Sequence, residues 1–144
     1  MLKLIGDGTL AIFPADNREE ACLGALAAAV RARKDVVELN GKRAAAGLPT
    51  TQLYLALHVG DVFYGNIGSK DRLDFTVIGP AVNEVSRILA MSRSVEQDVL
   101  ISASFADALG SAMRRRLVSI GRFALRGVAQ PQELFTPEPD FEIL

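Results

Sequence analysis

The chain has 144 residues, 49% hydrophobic and 23% charged, which fits one soluble domain with a sizeable core and leaves no room for a second. Its 16 basic and 17 acidic residues give a net charge of −1, so no global field draws it to nucleic acid or an anionic membrane, and any bound anion must rest on local groups. The single Cys22 excludes an internal disulfide, and there is neither a signal peptide nor an apolar run long enough to span a bilayer, so a cytoplasmic location without membrane contact is expected.

Leu2 to Ile5 and Thr9 to Phe13 predict two short strands joined by Gly-Asp-Gly, a tight-turn signal that puts Asp7 at a hairpin tip. Asp-Gly is a common hairpin turn and on that ground needs no function. Pro14 closes the strand, and Asp16 with Glu19 three residues later reads as a capping-box helix start. The helix should reach about Ala46, with Leu23, Leu26, Val30 and Val37 on one buried stripe and Gly47 and Pro49 as the stop. Gly41 marks an alternative, earlier end.

Gln52 to Val59 is strand-like, and Gly60-Asp61 turns it into a strand from Val62 to Ile67. His58, the only histidine, has no second histidine or cysteine cluster for a zinc site, and reads as structural or as a support for site residues. Phe63 and Tyr64 read as core and interface. The runs Val62 to Ile67 and Phe75 to Ile78 flank a charged turn at Ser69 to Arg72, the pattern of a second hairpin. The chain then breaks at Gly79 and restarts as a helix at Pro80, whose missing N–H costs nothing at the first helical position. Val82, Val85 and Leu89 form the expected apolar stripe, while Asn83 and Arg87 stand four residues apart on a neighbouring face. A guanidinium beside an amide suits a phosphate or the charge that grows in phosphoryl chemistry, but on an exposed face it is equally a solvated pair.

Asp98 to Ile101 predicts a strand, and Ser102 caps a short helix through Leu109. Arg114, Arg115 and Arg116 read as surface at a helix-to-strand connection. Leu117 to Leu125 resumes a strand, and the acidic tail after Pro137 is expected to be loosely ordered. The element order gives an α+β domain over residues 1–137, with helices on a mainly antiparallel sheet, and a tail over 138–144.

Three stretches in order carry a resemblance: Lys-Leu-Ile-Gly-Asp-Gly-Thr-Leu-Ala-Ile-Phe at the start, Gly-Asn-Ile-Gly through Phe-Thr-Val-Ile-Gly to Ala-Val-Asn-x-x-x-Arg in the middle, and Gly-Arg-Phe-Ala-Leu-Arg-Gly with Glu-Leu-Phe at the end. Together they resemble the catalytic domain of the class III nucleotide cyclases, the adenylate and guanylate cyclase family. The resemblance implies the ferredoxin-like cyclase fold and conversion of ATP to cyclic AMP and pyrophosphate. It implies Asp7 as a ligand of Mg²⁺ or Mn²⁺, Arg87 on the α-phosphate, Asn83 on the ribose and Arg126 as a phosphate-binding cation where the family often has lysine. Lys3 and Thr76 match the two positions that read the base, and the Glu and Cys usual in guanylate cyclases occur at neither. It further implies a symmetric homodimer with sites at the interface and the hairpin from Ile67 to Phe75 as a dimer arm.

Members of that family open on a strand with an Asp-Ile-x-Gly-Phe-type motif whose aspartate is the other metal ligand. This sequence starts after that block, so the resemblance implies an N-terminally truncated domain, short of one carboxylate and not expected to be catalytic alone. The alternative reading is a non-catalytic module that binds nucleotide or regulates a partner by dimerising.

Overall fold

The computed structural model describes residues 2–67, 70 and 74–142. Its platform is a four-stranded sheet ordered β3-β6-β8-β7, built from β3 (Leu55–Leu57), β6 (Val99–Ser102), β7 (Leu117–Phe123) and β8 (Gln132–Pro137). β3 runs parallel to β6, and β6–β8 and β8–β7 are antiparallel. Every residue of β6 is buried, and alternation along it feeds two cores. Val99 and Ile101 face a cluster with Cys22, Leu26, Phe105, Leu117 and Phe135. Leu100 faces the other side, with Ile88, Leu125 and Leu134. Helices α1 (Arg18–Ala45) and α3 (Ala103–Ala108) thus cover one face of the sheet and α2 (Pro80–Met91) the other, with the short α4 (Ser111–Arg114) between α3 and β7.

Two further antiparallel pairs stand as separate two-stranded sheets: β1 (Leu2–Ile5) with β2 (Gly8–Ala11), and β4 (Phe63–Ile67) with β5 (Asp74–Ile78). Both predicted hairpins are therefore present. The predicted turn Ser69 to Arg72 and most of the proposed arm from Ile67 to Phe75 lie outside the described residues. The strand expected over Gln52 to Val59 contracts to Leu55–Leu57, the stretch that pairs with β6.

α1 begins one residue later than predicted. Asn17, not Asp16, is the cap, its Oδ1 accepting the Glu20 N–H at 3.1 Å. The helix passes through Gly41 and ends in a Schellman-type closure, Gly47 N–H to Ala44 O and Leu48 N–H to Arg43 O. Its 28 residues span about 42 Å, far beyond the reach of a sheet of short strands, so only the first half is buried. Val37, expected on the buried stripe, is 67% exposed for that reason. Polar bonds tie down the distal end instead: Asn40 donates to Thr51 O and accepts from Thr51 N, and Arg43 donates to Pro49 O.

The basic run does structural work at the other end of the chain. Arg114 stacks on the Phe135 ring, and Arg116 stacks on Phe141 while donating to Glu138 and to the Glu142 carbonyl. The tail expected to be loose is thereby held through Glu142, with Phe141 6% exposed in the main core.

α2 is docked by a polar chain. Its inward stripe is Ala81, Val85 and Ile88 rather than Val82, Val85 and Leu89, because Ala81 must fit against Gly60: a Cβ there would stand 2.8 Å from the Ala81 Cβ. Glu84 shares this inward turn, and its Oε2 lies 3.0 Å from Nε2 of His58, whose side chain is 8% exposed. His58 Nδ1 lies 2.8 Å from Ser102 Oγ, which also caps α3 by accepting the Phe105 N–H. An ionised carboxylate only accepts, so Nε2 carries the hydrogen, Nδ1 accepts from Ser102, and every member is satisfied with a neutral imidazole. Burial holds the His58 pKa below its ordinary value, against the opposing pull of Glu84.

Two outcomes follow. Phe141→Ala should cost about 3 kcal/mol in denaturant unfolding, whereas Val37→Ser should stay within about 0.5 kcal/mol. For His58, the unfolded chain binds more protons than the native one between the lowered native pKa and the ordinary 6.5, so its stabilisation is full above that ordinary value and is lost as pH falls through the window. Thermal melts should therefore drop on acidification from about pH 7 to 5.5, and His58→Gln should flatten that slope; an equal slope in the variant would show that His58 is not its source.

Candidate functional site

β5 runs into α2 with only Gly79 between them, so a strand residue and a helix face are set in fixed relation. Beside this junction lies a cleft of about 450 Å³, lined by the first two turns of α2 (Gly79, Pro80, Asn83, Glu84, Arg87) and by Gly127 to Ala129. Asn83 is exposed and Arg87 half-buried on this wall. The Arg87 guanidinium lies flat on Gly127, where a Cβ would come within 3.0 to 3.1 Å of three of its atoms. Gly127 also has φ +75°, so both its backbone and the closeness of Arg87 require glycine. Among the described residues, Arg87 has no hydrogen bond or ion pair. A half-buried guanidinium facing a cleft, with no partner among the described residues, has its N–H donors available to an anion.

On the strand side of the junction, Lys3 Nζ donates to Thr76 Oγ1 at 3.0 Å. The bond joins residues 73 positions apart and ties the β1–β2 hairpin to β5. Lys3, Thr76, Asn83 and Arg87 are thus placed along one continuous path, Lys3 bonded to β5 and the other two on the helix that β5 enters. Asp7 and Arg126 are not drawn in. Asp7 sits exposed at the hairpin tip, and Arg126 is exposed beside Gly127; neither has a hydrogen bond or ion pair among the described residues.

The donor set bears on a metal. Among the described residues no three His, Cys, Asp or Glu side chains converge, so they form no cage of their own. Asp7, exposed at the hairpin tip, offers a single carboxylate, so a divalent cation there would need its other oxygen ligands from elsewhere.

Sequence reasoning missed Glu84 and Gly127. Glu84 could have been found as a carboxylate three residues after Ala81 and four before Ile88, on the inward stripe, which demands a partner. Gly127 had no local signal, since its role depends on Arg87 lying 40 positions away. Phe63 and Tyr64, expected in core and interface, are 63% and 48% exposed and so lie outside the core; among the described residues β4 pairs with β5 alone. A second cleft of about 220 Å³ lies by Arg33, Tyr54 and Asp98, where Arg33 and Asp98 pair with each other at 3.0 Å.

No protein-family model matches the chain. It is 36% identical over 136 residues to the uncharacterized protein Rv1318c of Mycobacterium tuberculosis, covering 94% of this chain and 24% of that protein. It is 35% identical over 136 residues to the uncharacterized protein Mb1353c of Mycobacterium bovis, with the same coverage. The chain thus spans about a quarter of the length of the curated relatives it matches. Among solved structures, the guanylyl cyclase Cya2 superposes with a TM-score of 0.72 at 25% identity, over 97% of this chain and 72% of that one. The adenylyl cyclase CyaB from P. aeruginosa gives 0.70 at 20% identity, over 93% and 68%. The α+β arrangement of sheet and helices in this chain is a nucleotide cyclase-like fold.

Proposed function

We propose that this chain is an adenylate cyclase catalytic domain of the class III type, in which the ribose 3′ oxygen of ATP attacks the α-phosphate and pyrophosphate leaves, giving 3′,5′-cyclic AMP for intracellular signalling. The observation that carries the reading is the Lys3–Thr76 bond at 3.0 Å, which unites across the fold the two residues assigned to the adenine edge. Arg87, whose guanidinium lies over Gly127, would stabilise charge growing on the α-phosphate, and Asn83, one turn earlier on the same wall, would orient the ribose. Arg126 supplies a second cation beside the cleft for the departing phosphates. Mg²⁺ or Mn²⁺ entering with ATP would neutralise phosphate charge, with Asp7 as one ligand.

The working form would be a cytoplasmic homodimer without nucleic-acid partners. Its support is apolar surface on the two small hairpins: Leu2 and Leu4 are 74% and 80% exposed, and Phe63 and Ile78, which pair in register, are 63% and 52% exposed. No helix among the described residues is long and apolar enough to cross a membrane. A non-catalytic nucleotide-binding or dimerising module is the second reading, favoured by the absence of a converging carboxylate set among the described residues.

In the full-length protein with Mg²⁺ or Mn²⁺, ATP should yield cyclic AMP, and Arg87→Ala should lower kcat about a hundredfold with a much smaller change in KM. An unchanged kcat would return Arg87 to the solvated face, and no cyclic AMP from the intact protein would favour the second reading. Base selection has its own test. Lys3 only donates and Thr76 can accept, matching the ring acceptor and amine of adenine, whereas guanine reverses the pattern. Lys3→Glu with Thr76→Cys should shift the ratio of kcat/KM for ATP to that for GTP toward GTP; an unmoved ratio would mean that these residues do not read the base.

A further inference from the structure

Glu84 and Arg87 stand three residues apart on α2, a spacing at which opposite charges on a helix ordinarily meet. Both line the same cleft. Yet Arg87 makes no ion pair among the described residues, and the Glu84 carboxylate is taken by His58 at 3.0 Å. The imidazole cannot swing away from it, because its other nitrogen is held by Ser102 at 2.8 Å, and Ser102 is itself fixed as the cap of α3. The acid is thereby turned toward the sheet and the base is left over Gly127.

We propose that His58 is a positioning residue whose bond to Glu84 keeps the Arg87 guanidinium unpaired and open to a phosphoanion. The inference rests on the reading of Arg87 as a phosphate-binding residue, and it deepens that reading by naming what prevents the site from neutralising itself. A carboxylate in the cleft beside a guanidinium would compete with any phosphate for the same N–H donors, and a charge-assisted bond of this kind must be broken before the anion binds. Histidine suits the task because a neutral imidazole donates to Glu84 and accepts from Ser102 without adding a second positive charge. Asparagine at position 58 is too short to reach Glu84. Glutamine places its amide nitrogen near the position of Nε2 and can still donate.

The test is the Arg87 Nε–H signal in proton–nitrogen correlation spectra of the whole chain, assigned by its loss in Arg87→Lys, together with titration of inorganic pyrophosphate by calorimetry. In the wild-type chain the Nε–H should exchange rapidly with water. His58→Asn should release Glu84 onto Arg87, so that the signal shifts and its exchange slows, and pyrophosphate binding should weaken about tenfold. His58→Gln should keep the wild-type signal. The decisive variant is His58→Asn combined with Glu84→Gln, which removes the competing charge: it should restore both the fast-exchanging signal and pyrophosphate binding. If His58→Asn does not fold, His58→Leu, which fills the buried site with an apolar side chain of similar size, replaces it in both comparisons. An Arg87 signal that does not respond to loss of His58, or a double variant no better than the single one, overturns the proposal, since a merely structural role for His58 would not be rescued at Glu84. If the signals behave as expected while pyrophosphate fails to bind even the wild-type chain, the pairing is upheld and the phosphate reading of the cleft falls.

Discussion

The rest of the structure depends on how a carboxylate on the inward face of a helix is satisfied. Glu84 lies on the same stripe as Ala81 and Ile88, and those two residues are buried, so α2 cannot pack on the sheet without carrying the carboxylate part of the way in. The Glu84 side chain stays 34% exposed, so leaving it unpaired would cost only part of the several kcal/mol of a fully buried charge. The His58–Ser102 pair removes that cost and adds direction, since it links α2, the segment after β3 and the start of α3 through atoms with one consistent set of donors and acceptors. Gly60 allows the close approach, since a Cβ there would stand 2.8 Å from the Ala81 Cβ.

That docking sets where the strand-to-helix junction points. β6, buried along its whole length, needs cover on both faces of the sheet, and α2 with Leu125 and Val128 covers the face of Leu100 and Leu134. Because α2 follows β5 with only Gly79 intervening, the rotation chosen by Glu84 and Ala81 also determines which side chains look outward. Asn83 and Arg87 look outward because Ala81, Val85 and Ile88 look in. The cleft is thus the reverse side of a packing decision, with Gly127 of the β7–β8 connection closing it.

Local chemistry made most of the elements legible. Gly-Asp-Gly, Gly79-Pro80, Ser102 and Gly47 each specify a turn or cap from a few neighbouring residues, and the elements they bound are present. The misses share a different cause, which is that burial depends on what lies across the fold. Val37 has the right helical spacing for a core stripe but no sheet beneath it, and Leu89 yields to Ile88 because Gly60 and Leu100 decide which face of α2 is inward. Arg116 and Phe141 looked like a basic surface and a loose tail, yet the fold brings these residues, 25 positions apart, together. In the candidate site, Asn83 and Arg87 could be seen as neighbours from their spacing, whereas Gly127 and the His58–Ser102 link are visible only once the elements meet.

The contact between Lys3 and Thr76 bears on how such a site could be ready before a ligand arrives. The ammonium has three N–H donors, and a hydroxyl that accepts one of them keeps its own hydrogen and a lone pair. The Thr76 hydroxyl thus stays able to donate or accept while it holds Lys3, and the long lysine side chain, whose ordering is costly in entropy, is held against β5. The same bond ties a two-stranded hairpin, which is marginal by itself, to the strand that enters α2. A change that displaced Lys3 from Thr76 would remove one tie between that hairpin, with Asp7 at its tip, and the strand that enters α2, so the packing of the first hairpin and the geometry at Thr76 are coupled.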